Sequence, residues 1–171
     1  MEKKYNAVVV GCGAIGPIHA QVLQHCEGAQ LYGVCDILPE RAEHLAKQQG
    51  CKAFTQFEMV LADEAVDVIH ICTPHYLHVP MAVEAAKRGK NLVIEKPMAM
   101  NTSEAENLQH HLNRSGTNVC CILQNRYTPC VEAMKREIDS GNYGAVKGGR
   151  GLLTWQRTAE YYQSAQWRGR W

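Results

Sequence analysis

Three glycines placed directly behind a β-branched run constrain this chain more than any other feature. Val8-Val9-Val10 reads as a buried strand, and Gly11-Cys12-Gly13-Ala14-Ile15-Gly16 follows it without a break. A helical pattern then covers residues 14–25. In the spacing G-x-G-x-x-G the first glycine makes a tight turn and the second lets the backbone approach a pyrophosphate. The third lets helix and strand pack closely. The helix N-terminus then offers unpaired N–H groups and the positive end of its dipole to an anion. A glycine turn without a ligand is the plainer alternative. Asp36 weighs against it, because it stands twenty residues after Gly16 at the end of a second apolar run, Leu31-Tyr32-Gly33-Val34-Cys35. That is the place for a carboxylate that accepts hydrogen bonds from an adenosine ribose.

Strand and helix patterns alternate from there. Strands are expected at residues 5–10, 31–35, 53–54, 66–72, 91–94 and 118–123. Helices are expected at 14–25, 39–49, 57–62, 79–88 and 102–113, the last capped by Thr102 or Ser103. Alternation on this scale means βαβ units, right-handed crossovers and a doubly wound parallel sheet of α/β class, a Rossmann arrangement. After Gln124 the pattern changes to a helix at 131–140, a strand-like stretch at 146–155 and a polar, aromatic tail. The expected organisation is a dinucleotide-binding domain over residues 1–124 and the first elements of an incomplete α+β domain over 125–171.

Composition narrows the partners. Of 171 residues, 46% are hydrophobic and 20% charged, and the net charge is +1, so the chain is globular and carries no basic stripe for nucleic acid. No segment has the length of a membrane span. The eight cysteines lack C-x-x-C spacing and fall mostly inside predicted elements, as buried thiols do. A reduced, cytoplasmic setting follows as the expectation. His75 and His78 are spaced H-x-x-H, but without a neighbouring Cys or carboxylate cluster no metal site is assigned.

In an open α/β sheet, ligands sit at the carboxyl ends of the strands. The candidates there are Gly11 to Gly16, Asp36, Thr73-Pro74 with His78, Glu95-Lys96-Pro97, and Gln124. Lys96 is the candidate for acid–base catalysis, since a lysine desolvated beside a dinucleotide and near other cations suits that work. An ordinary surface lysine before a proline is the competing reading. Strand alternation sends Glu95 to the opposite face.

These residues together resemble the Gfo/Idh/MocA family, the relatives of glucose–fructose oxidoreductase and inositol dehydrogenase. The likeness rests on Gly11 to Gly16 with His19, Thr73-Pro74 with His78, Gly89-Lys90, Glu95-Lys96-Pro97 and Gln124-Asn125-Arg126-Tyr127. The tail with Trp155, Tyr161-Tyr162 and Trp167-Arg168-Gly169 is similar to the branch acting on sugars and nucleotide sugars. The resemblance implies an NAD(P)-dependent oxidoreductase that moves a hydride between nicotinamide and a secondary alcohol of a sugar, nucleotide sugar or polyol. It implies cofactor contacts from Gly11, Gly13, Ala14, Ile15, Gly16, Asp36, Thr73, Pro74, His78, Glu95, Lys96 and Gln124, with Trp167 and Arg168 reaching the cofactor from the second domain. Lys96 would serve in catalysis, and the peptide before Pro97 would be cis. Asp36 favours NAD over NADP by repelling a 2′-phosphate, while Arg41 tempers that preference.

The resemblance also implies a second domain bearing a catalytic histidine and aspartate beyond residue 171, so a truncated member with little or no turnover is expected. A homo-oligomer fits the exposed aromatic tail. Two other classes compete: a dinucleotide sensor without chemistry, and a methyltransferase using S-adenosylmethionine. Glu95-Lys96-Pro97 and the third glycine argue against the latter.

Overall fold

The computed structural model describes residues 4–165, 168 and 169. Six strands form one parallel sheet: β1 (Tyr5–Val10), β2 (Ala29–Cys35), β3 (Lys52–Phe54), β4 (Val68–Ile71), β5 (Asn91–Ile94) and β6 (Val119–Cys121). Their spatial order is β3-β2-β1-β4-β5-β6, with every neighbouring pair parallel. This is the doubly wound order, and its reversal point lies between β1 and β4. The chain divides into two compact units, residues 1–123 and 124–171.

Side-chain alternation builds two core layers, one on each face of the sheet. Ala7, Val9 and Val34 face α1 (Gly16–Gln24) and α2 (Pro39–Gln49), meeting Ala20, Leu23, Leu45 and Ala46. Val8, Val10, Ile69, Ile71, Leu92 and Ile94 face the other way. They meet Val60 of α3 (Phe57–Ala62), Val79, Ala82 and Val83 of α4 (His78–Lys87) and Leu108 of α5 (Thr102–Ser115). Strands buried on both faces read as continuous apolar runs, which is why β1 and β4 look as they do. Gly33 is required in β2, because a Cβ there would sit 2.6 Å from the Phe54 ring.

The amino ends of the strands are tied by short polar side chains. The amide of Asn6 donates to the Asp67 carboxylate at 2.8 Å, and Gln30 Nε2 donates to Asn6 Oδ1 at 2.7 Å. The Asn118 amide donates to Asn91 Oδ1 at 3.1 Å. Lys90, buried beside this rim, donates through Nζ to the carbonyls of Asp63 and Val66 and so closes the C-terminal end of α3.

Two sequence expectations change. The cap of α5 is Asn101, whose side chain accepts from the Glu104 amide, rather than Thr102 or Ser103, which lie inside the helix. Glu104 returns a bond to the Met100 amide, so the cap works reciprocally. In the second unit, residues 146–155 form no strand. A strand persists through its partner's hydrogen bonds, and no described residue pairs with this stretch. Leu152 (88% exposed) and Trp155 (73%) therefore stand in solvent. This unit holds α6 (Pro129–Asp139) and α7 (Ala159–Gln163), the latter not anticipated from the sequence.

Candidate functional site

The strand ends that matter lie level with one another. Val10 pairs with both Cys35 and Ile71, and Ile71 pairs with Ile94, so β1, β2, β4 and β5 finish on one line. The ladder continues one residue further. Gly11 N donates to Cys35 O (2.8 Å), Cys72 N to Val10 O (2.8 Å) and Glu95 N to Ile71 O (3.0 Å). The glycine turn, Asp36, Thr73-Pro74 and Glu95-Lys96-Pro97 consequently emerge from a single sheet edge, beside the reversal point.

The glycine turn has the shape of an anion cradle. Gly11 takes φ +100°, and a Cβ there would lie 2.6 Å from Cys72 O. A Cβ on Gly16 would lie 2.1 Å from Gly11 O, so only glycine lets α1 start this close to β1. At Gly13 a Cβ would meet no protein atom within 4 Å, which makes it the open side of the turn. Ala14 is exposed and Ile15, the N-cap of α1, is half-buried. The helix has no side-chain cap and no acidic residue in its first turn, so its amino end stays available to a negative ligand. Two glycines locked by packing and one facing open space fit a pyrophosphate.

Asp36 is buried and held on both oxygens. Oδ2 accepts from the Cys12 amide at 2.8 Å and Oδ1 from the Leu38 amide at 2.9 Å. A carboxylate has about four lone-pair sites, so two remain for ribose hydroxyls while its direction is set. Cys12, between the glycines, is pushed up to about 12 by burial and then by the Asp36 charge. It acts as a small filler with a neutral thiol. Arg41 is exposed near the start of α2.

Beyond β4, Thr73 and Pro74 are half-buried and lead into a 3-10 turn, His75–Leu77. Thr73 Oγ1 lies 3.6 Å from Met81 Sδ. His78 opens α4 and is fully buried (0% exposed). Its Nδ1 lies 2.7 Å from Pro97 O and its Nε2 2.9 Å from Thr73 O, so the ring spans the turns after β4 and β5. Burial, with smaller contributions from His78 and Lys96, lowers His75 below the ordinary imidazole range. The Lys96-Pro97 peptide is cis, and the Lys96 side chain is exposed. Packing within this unit therefore does not desolvate Lys96.

In the second unit Gln124 opens a 3-10 turn, Gln124–Tyr127. The Arg168 guanidinium lies 4.1 Å from the centre of the Tyr161 ring, and that of Arg157 lies 4.2 Å from the Trp155 ring. Trp167 falls outside the described residues.

Comparison with known proteins decides the family. Residues 5–122 match the model of GFO_IDH_MocA, described as an oxidoreductase family with an NAD-binding Rossmann fold. The chain belongs to the Gfo/Idh/MocA family. Scyllo-inositol 2-dehydrogenase (NAD(+)) of Bacillus subtilis is 32% identical over 148 residues, which are 84% of this chain and 43% of that protein. A glycosyl hydrolase family 109 protein of Shewanella baltica is 27% identical over 95% of this chain and 38% of its own length. Among solved structures, the WlbA dehydrogenase of Bordetella pertussis, in complex with NADH and UDP-GlcNAcA, superposes with a TM-score of 0.88 and 30% identity. It covers 98% of this chain and 51% of that one. The chain thus spans less than half the length of the curated relatives it matches.

Within the Gfo/Idh/MocA frame, His19 and Glu95 form a cluster with His70, which the sequence does not single out. His19 on α1 has its Nδ1 3.0 Å from His70 Nδ1 on β4 and its Nε2 3.2 Å from Glu95 Oε1. The other Glu95 oxygen accepts from the Lys96 amide at 3.1 Å. His70 is lowered to about 4 by burial and secondarily by His19. Alternation places His70 on the face of Val68 and Glu95 on that of Val93. The helical period places His19 beside Ala20 and Leu23, so all three polar groups converge on one layer. That double periodicity was the available signal.

Proposed function

We propose that this chain is the nucleotide-binding part of an NAD(H)-dependent oxidoreductase acting on a secondary alcohol of a sugar, nucleotide sugar or polyol. The observation that carries this reading is the level sheet edge, where the glycine cradle, the doubly anchored Asp36 and Lys96 emerge together. Bound NAD(H) supplies the hydride acceptor or donor. Gly11, Gly13 and Gly16, with Ala14 and Ile15, hold the pyrophosphate by backbone contact and the amino end of α1. Asp36 takes the adenosine ribose hydroxyls, which favours NAD over NADP because a 2′-phosphate would meet a buried, directed carboxylate. Lys96 Nζ takes the hydroxyl proton as the carbon loses its hydride, and returns it in the reverse direction. Thr73, Pro74, Glu95 and His78 shape the wall between nucleotide and substrate.

The substrate class draws support from the relatives. A cyclic polyol and a nucleotide sugar stand in their names, and both offer a ring bearing secondary alcohols. Gln124, Trp167 and Arg168 belong to the same proposal as contributors from the second unit, Arg41 as a modulator of NADP tolerance, and self-association and a cytoplasmic location as its setting. Among the described residues no helix is long and apolar enough to cross a membrane.

Titration of NADH and then NADPH into the 171-residue chain, followed by fluorescence and calorimetry, tests the reading. Saturable binding that prefers NADH and weakens about tenfold or more in Asp36→Ala supports it. Equal affinity for both nucleotides, or none, overturns it. Lys96→Ala separates an enzyme from a sensor: in an enzyme it lowers turnover, whereas in a sensor it changes NADH affinity alone.

A further inference from the structure

We propose that His19 is a positioning residue for Lys96, oriented by His70 and acting through Glu95. This rests on the reading of Lys96 as the proton carrier. Lys96 is exposed, so packing around its side chain does not aim it; the backbone from which it departs must. That backbone is held before and after. Behind Lys96, Glu95 turns its carboxylate onto the Lys96 amide, Oε2 accepting at 3.1 Å. Ahead of it, the Pro97 carbonyl lies 2.7 Å from the buried ring of His78.

The Glu95 carboxylate is itself buried and needs a donor on its second oxygen. His19 Nε2, 3.2 Å away, is that donor. A neutral imidazole with its proton on Nε2 presents a bare Nδ1. The 3.0 Å approach of the two Nδ1 atoms then requires His70 to donate. The bonds run in one direction, from His70 Nδ1–H to His19 Nδ1, and from His19 Nε2–H to Glu95 Oε1. The second Glu95 oxygen receives the Lys96 N–H. Each member fixes the tautomer or rotamer of the next, as second-layer partners do around other reactive groups. The chain joins α1, which carries the cradle, to the turn that carries Lys96, so nucleotide and proton carrier share one reference frame.

The test compares His19→Gln with His19→Met by hydrogen exchange at the Lys96 amide, using the full 171-residue chain without added ligand. The two replacements are similar in length, and only Gln keeps a donor near the position of Nε2. The expected result is exchange accelerated about tenfold or more in the Met variant and close to wild type in the Gln variant. Equal behaviour of the two overturns the proposal and leaves His19 as packing.

Nitrogen-15 spectra of the unmodified imidazoles test it without any substitution. At neutral pH, His70 protonated on Nδ1 and His19 on Nε2 is the expected pair, and His19 protonated on Nδ1 alone overturns it. Neither readout involves nucleotide or turnover. A chain that binds no NADH but shows the expected exchange would therefore overturn the functional reading while leaving the linkage intact.

Discussion

The ring of His78 links Thr73 to Pro97, with Nε2 2.9 Å from one carbonyl and Nδ1 2.7 Å from the other. A helix-opening residue thereby joins the turns that leave two neighbouring strands. Replacing it with leucine keeps an apolar body and removes the ring N–H that one of the two carbonyls accepts. His78→Leu is expected to lower stability by about 1–3 kcal/mol, the cost of one buried group left without its partner. Urea unfolding measures the loss, and hydrogen exchange should place the loosening in the turns around residues 73 and 97. A variant as stable as wild type would show that the ring is not a tie.

Gly16 and Gly13 should separate folding from binding. Alanine at 16 drives a methyl group into the Gly11 carbonyl, so Gly16→Ala is expected to lower both the melting temperature and NADH affinity. Alanine at 13 meets no protein atom, so Gly13→Ala should stay within about 0.5 kcal/mol of wild type in stability. It should nonetheless lose NADH affinity about tenfold or more, because the methyl group enters the space assigned to the phosphates. Thermal melts with and without NADH give both answers in one experiment.

His70 gives the fold an acid-sensitive point. Its ring titrates near 4 when folded, against 6.5 for an ordinary histidine. Between those values the unfolded chain binds a proton that the folded chain does not, so stability rises with pH. The contribution is fully present above about pH 6.5 and is lost on acidification toward 4, on the order of 3 kcal/mol in total. His70→Val should flatten that part of the profile. An unchanged slope from pH 4 to 6.5 would assign the acid sensitivity to other groups.

Cys12 should resist alkylation although it lies in the cradle. Burial and Asp36 keep its thiol protonated, while Cys26 and Cys130 are exposed. With iodoacetamide at pH 8, modification at Cys12 is expected to lag those two by about tenfold or more, because the thiolate is the nucleophile. Peptide mapping over time checks this, and bound NADH should slow Cys12 further.

The sheet was legible because its signals were local. The runs at β1 and β2, Pro39 with Gly50 around α2, and Gly116 after α5 each act within a few residues. The cap of α5 was misplaced by one or two positions, since Asn101, Thr102 and Ser103 are all cap-forming types and only the backbone conformation selects among them. Residues 146–155 carry strand composition, yet a strand is a relation between two segments and one segment's composition cannot supply the other. The His19, His70 and Glu95 cluster spans 76 residues of sequence and appears only when two periodicities are laid over the strand order. Burial was the other property that sequence did not carry: Lys96 and His78 stand at neighbouring turns, one exposed and one enclosed.

The polar side chains that tie the amino ends of the strands have a consequence at the opposite rim. Asn6, Asp67, Asn91 and Asn118 close one end with their own amides and carboxylate. The turns at the other end are tied by the His78 ring and by the carboxylates of Asp36 and Glu95, and they leave Gly13 facing open space. Holding the strands in place is therefore the whole task of one rim, while the other both holds its turns and presents the cradle. Substitutions at the closed rim are free to tune durability alone, whereas those at the open rim trade durability against recognition wherever one residue serves both, as Gly16 does.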